Sequence, residues 1–182
     1  MIYKLTVDTD GHEAPVDWGD TFCLQGTTGP GRILIGARNP VALLRKMIPL
    51  LGPEFHLLYV LGIPRGEGEP GRYQSPAMTL EAVDAFLVDF KEFLEKDARH
   101  HLWIRSTQEQ GLLVFEKHNL IYGYGPLEEI QGQLRASGFK YGKINMPSPH
   151  IHYYHDSFDG EARRILQVME WNRTELREGD DA

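Results

Sequence analysis

The chain has 182 residues, of which 41% are hydrophobic and 25% charged, with a formal net charge of −7. Those fractions disfavour collagen-like, coiled-coil and disordered classes, and the length suits one domain that buries about 70% of the surface its unfolded form exposes. The one cysteine, Cys23, excludes an internal disulfide and fits a reducing, cytoplasmic setting, while scattered Lys and Arg in an acidic chain argue against nucleic-acid binding.

Residues 1–8 alternate as a strand does and lack the apolar core of a secretion signal. Residues 8–32 are rich in Gly, Asp, Thr and Pro and read as irregular, apart from a short strand over 21–25; another strand follows over 33–35. Asn39-Pro40 places a capping side chain before a proline at the first helical position. The helix it opens is expected to reach Leu51, with its last turn disturbed by Pro49. The nearly unbroken apolar run over 54–61 predicts a mid-sheet strand covered on both faces. Residues 62–77 hold four glycines and three prolines and predict a long exposed loop.

Thr79 caps a helix with Val83, Phe86, Leu87, Phe90 and Leu94 on one stripe. Three β-rich runs, 101–105, 111–116 and 120–124, predict an antiparallel meander. Gly125-Pro126 opens a helix with Glu128 and Glu129 in its first turn, Arg135 in its last and Gly138 as its stop. A strand over 139–144, an extended segment over 147–155 and a helix over 158–171 follow, with Phe158, Ala162, Ile165 and Met169 inward. The acidic end, 175–182, is expected to fray. No apolar run approaches the ~20 residues of a membrane span. With no repeat or linker, the expected fold is one α+β domain over 1–182: a single mixed, mostly antiparallel sheet with a central meander and about four packed helices.

The segment His150-Ile151-His152-Tyr153-Tyr154-His155-Asp156 carries the strongest chemical signal. Residues two apart on a strand share a face, so His150 and His152 would offer two imidazoles to one divalent ion, Zn, Mn, Fe or Ni, with His155 or Asp156 as third ligand. The alternative is that these are strand histidines packed on neighbouring aromatics, with Asp156 starting the last helix. His100, His101 and His118 could join from the meander. Two loops add Arg32, in the glycine-rich turn 26–32, and Arg65, Arg72 and Tyr73, in a lid or partner-binding loop over 64–73. Cys23 reads as a buried structural thiol.

Three functions follow as expectations. The first is a non-enzymatic protein-binding domain of acidic inhibitor or immunity type, which would meet a basic protein through acids such as Asp17, Asp20, Glu67 and Glu69. The second is a small metal-dependent hydrolase built on the His150/His152/His155 cluster, with Arg32 or Arg72 holding an anionic substrate. The third is a homodimer formed through a sheet edge or the aromatic C-terminal strand.

Overall fold

A computed structural model describes residues 2–26, 31–108 and 111–180. Thirteen strands and five α-helices follow one another along it. The strands are β1 (Leu5–Thr9), β2 (His12–Pro15), β3 (Thr21–Gln25), β4 (Arg32–Gly36), β5 (Glu54–Leu61), β6 (Gly71–Gln74), β7 (Met78–Thr79), β8 (His100–Ser106), β9 (Leu112–Phe115), β10 (Leu120–Tyr124), β11 (Lys140–Tyr141), β12 (His150–His152) and β13 (Asn172–Thr174). The helices are α1 (Pro40–Met47), α2 (Leu80–Asp89), α3 (Lys91–Lys96), α4 (Leu127–Ala136) and α5 (Asp159–Ile165).

The fold is α+β, and its large sheet runs β11-β3-β4-β10-β9-β8-β5-β6-β13, with β7 also on β5. Every pairing in it is antiparallel except β11 with β3. The meander β8-β9-β10 lies inside it as expected. A second sheet, β12-β1-β2, stands apart from it.

Strand alternation divides the large sheet into two unlike faces. Phe22, Ile35, Ile121, Phe115, Leu102, Tyr59, Leu57, Ile104 and Leu113 are all buried and turned to one side. They form one cluster with Val41 and Leu44 of α1, Val83 and Leu87 of α2, Leu94 of α3, Ile130 and Leu134 of α4 and Ala162 of α5. The other face carries Asn172, Gln74, Leu58, Trp103, Val114, Tyr122 and Leu34 in one cross-strand row. No helix contributes to that row, and only Leu34 in it is buried. β5 is therefore covered on one face alone over its first half, because His56 and Leu58 point to the open side.

Several elements depart from the expectations. The helix begun by Thr79, whose side chain accepts from the Ala82 N–H, breaks at Phe90 into α2 and α3; the apolar stripe continues across the break, so the pattern did not betray it. α1 ends at Met47 and passes into a 3-10 turn at Ile48–Leu50, where Pro49 lacks the N–H an α-helix needs. The last helix stops at Ile165, well short of 171.

Residues 62–77 are not simply a loop, because β6 pairs with β5 on one side and β13 on the other. Arg72 and Tyr73 are strand residues: Tyr73 is buried, and Arg72 pairs with Asp180 at 2.6 Å with both side chains almost covered. That pair ties down part of the acidic end. Arg65 bonds Asp156, and Glu67 reaches the buried Arg99, which also holds Asp97 and Asp159. A lid over 64–73 would have to break these contacts. Of the turn 26–32, residues 27–30 lie outside the described residues. Cys23 is half-buried on the open face of the sheet.

Candidate metal centre

The β9–β10 turn delivers the first histidine. Glu116 is buried at its start, and its carboxylate accepts from the backbone N–H groups of His118 (2.9 Å) and Leu120 (3.3 Å). Asn119 completes the turn at φ +59°, a left-handed conformation that asparagine tolerates, and its side-chain amide donates to Glu95 O at 2.9 Å. The second oxygen of Glu116 bonds His118 Nδ1. Trp18 anchors the turn from outside, donating Nε1–H to His118 O at 2.9 Å.

The other two histidines come from β12, which pairs with β1 in the register Leu5↔His152 and Val7↔His150. Strand alternation puts both rings on one face and leaves Ile151 exposed on the other. The β12 rings and His118 converge: ring centroids are 5.2 Å apart for His150–His152, 4.6 Å for His118–His152 and 5.4 Å for His118–His150. One ring nitrogen from each residue lies within 4.8 Å of the other two.

The hydrogen bonds decide which nitrogens are free. His150 Nδ1 faces Pro147 O at 2.8 Å, so it carries the proton there, and His118 Nδ1 is committed to Glu116. Both rings therefore present Nε2 lone pairs. His152 Nε2 is buried with no hydrogen-bond partner. Desolvation, followed by the neighbouring His118, Lys117 and His150, pushes the His152 pKa down to about 4. Above that pH its ring is neutral, the state that can bind a cation. An unsatisfied buried nitrogen, two further imidazoles and a carboxylate behind one of them fit a transition-metal ion, because that carboxylate–histidine support is a usual accompaniment of such ligands.

His155 and Asp156 lie elsewhere. His155 stacks on Tyr153 and its Nε2 faces Tyr3 O at 2.7 Å, while Asp156 is engaged by Arg65. The chain turns away after β12, so these two residues do not complete the histidine set. His118 does so instead, from a turn whose position depends on the whole meander. His101 lies near it, and desolvation pushes its pKa down to about 4. His100 is buried between Tyr59 and Phe93 and forms no part of the centre.

His118 and Glu116 also line a cavity of about 400 Å³ on the open face of the large sheet, with His101, Trp103, Tyr122, Tyr124 and Arg32. Arg32 is fixed there by Gln25 (2.9 Å) and the Tyr124 hydroxyl (3.2 Å), with its guanidinium 4.4 Å from the Tyr122 ring centroid. It has no carboxylate partner among the described residues. Among the described residues, no helix is long and apolar enough to cross a membrane. Compared with protein-family models, curated proteins and solved structures, the chain matches none.

Proposed function

We propose that the protein binds one divalent transition-metal ion through His118, His150 and His152 and hydrolyses an anionic substrate beside it. The observation that carries this reading is the convergence of three ring nitrogens within 4.8 Å of one another, with the Nδ1 atoms of His118 and His150 already committed to oxygen partners. Imidazole donors suit Zn, Fe and Ni better than Mn, which favours carboxylates. Three protein ligands leave a coordination position for water or substrate, and an ion held there would lower the pKa of that water or polarise a substrate oxygen.

The protein's own groups have distinct tasks. Glu116 fixes the tautomer and orientation of His118 and cannot also serve as a mobile base, because its oxygens are occupied by two backbone N–H groups and the ring. Arg32 offers its remaining N–H groups to a phosphate or carboxylate in the adjoining cavity, with Tyr122 and Tyr124 beside it.

The acidic-inhibitor reading finds less support in these contacts. Of its named acids, Asp17 and Asp20 bond Arg38, and the Glu67 carboxylate is only 1% exposed against Arg99.

Elemental analysis of untagged protein tests the proposal. One equivalent of Zn, Fe or Ni is expected in the wild type, and its loss in H150A/H152A; wild-type protein that stays metal-free after incubation with each ion overturns it. Turnover of a chromogenic phosphate or carboxylate ester should follow the metal content and fall on Arg32→Gln substitution.

A further inference from the structure

The open face of the large sheet holds a second cavity, of about 660 Å³, on the side of Trp103 and Leu112 away from His118. Its floor is Leu58, Trp103 and Leu112, and its walls carry His56, Gln74, Asn172, Arg105 and Arg177 among others. The size lies within the range of small-molecule sites, and an apolar floor with a few polar groups at the rim is their usual construction.

The arginines are what mark it out. Six of the twelve arginines in this acidic chain, Arg38, Arg45, Arg65, Arg72, Arg99 and Arg164, form ion pairs with carboxylates. Arg105 and Arg177 have no carboxylate partner among the described residues, yet both line this one cavity. They come from opposite banks, since Arg105 lies on β8 and Arg177 follows β13, three strand positions away. At about 4.8 Å per strand the banks are roughly 14 Å apart, a gap that a ligand and two long side chains fill. Arg72 between them is neutralised by Asp180 and lies over the Trp103 ring, so it shapes the floor without adding net charge.

We propose that this cavity is a binding site for a small molecule with an oxyanion, phosphate or carboxylate, on an aromatic or apolar body. The oxyanion takes the Arg105 and Arg177 guanidinium groups, whose forked N–H donors match either anion. The body rests on Leu58, Trp103 and Leu112, and Gln74 and Asn172, neighbours across the β6–β13 pairing, supply hydrogen bonds at the rim. The site does not depend on the metal centre.

The test is calorimetric titration of the full chain, stripped of metal, with phenyl phosphate, benzoate and benzyl alcohol. Saturable binding of phenyl phosphate or benzoate is expected, and the tighter of the two identifies the anion; benzyl alcohol should not bind. R105Q/R177Q should weaken binding by about tenfold or more. Both residues are exposed, so the variant should keep the wild-type thermal melt; if it does not, the single variants R105K and R177K serve, each expected to weaken binding less than its glutamine counterpart. H150A/H152A should bind as the wild type does. Absence of saturable binding, equal binding by R105Q/R177Q, or loss of binding in H150A/H152A would each overturn the proposal, and none of these results bears on whether the three histidines take a metal.

Discussion

Glu116 is the residue on which most of the centre's geometry turns, since one carboxylate closes the β9–β10 turn and orients His118. Glu116→Gln keeps the shape but loses the charge behind the ring, and metal affinity should fall by about 10–100-fold while the fold survives; an unchanged affinity by competition with a chromogenic chelator would remove Glu116 from the site. The buried histidines give a separate prediction about acid. His101 is 8% exposed and, chiefly through desolvation, its pKa is pushed from 6.5 down to about 4; burial also lowers His100. Between those two pH values the unfolded chain takes up a proton that folded His101 refuses. Stability should therefore fall as pH drops from 6.5 to 4, by up to about 3 kcal/mol for His101. Urea midpoints of the metal-free protein measured at pH 7 and pH 4.5 should show it, and His101→Gln should flatten the slope; an equal slope in that variant sinks the assignment. The histidine pair on β12 was legible because an H-x-H spacing on a strand shares a face. The third member was named only as one of three meander histidines able to join and was not singled out, since His118 arrives through a turn more than thirty residues earlier whose place only the assembled sheet fixes.

Packing between elements holds that turn in place. An ideal Cβ at Gly36 would lie 2.3 Å from Trp18 Cβ, so the indole that bonds His118 O sits where any side chain at 36 would be. Gly36→Ala should cost about 1–3 kcal/mol in urea denaturation and weaken metal binding as Trp18 is displaced; a variant of wild-type stability would show that the indole moves freely. On the other flank, the near-buried Arg72–Asp180 pair joins β6 to the segment after β13. Asp180→Asn leaves a covered guanidinium without its counter-charge, and a loss of about 3 kcal/mol is expected by the same measurement. Elements with strong periodicity were readable in the sequence, among them β5, the meander and α4. β2, β6 and β13 were hidden because Pro, Gly or exposed polar residues fill them, and their strand form comes from pairing with neighbours and not from their own composition. The break at Phe90 escaped for the opposite reason, because an apolar stripe reads the same through a kink.

At the scale of the whole molecule, the two faces of one sheet do different work. All five helices bury their apolar residues in the core cluster, whereas the other face keeps aromatic and basic side chains accessible in two adjoining cavities. Metal binding to the native fold alone should raise stability by about 2.7 kcal/mol at a free concentration 100 times Kd, and so raise Tm by about 5–10 °C for a chain of this size. Calorimetric melts with and without zinc check this, and no shift in the presence of bound metal would mean that the unfolded chain binds the ion as well. The pairing of β1 with β12 has a temporal consequence. A ribosome makes His152 almost 150 residues after Leu5, so over that interval β1 has only β2 beside it, and its other edge stays open. The three clustered histidines thus come together only after β12 has been made. A chain stalled before β12 would be left without the histidine set and with an unpaired edge of β1 prone to sticking to its neighbours.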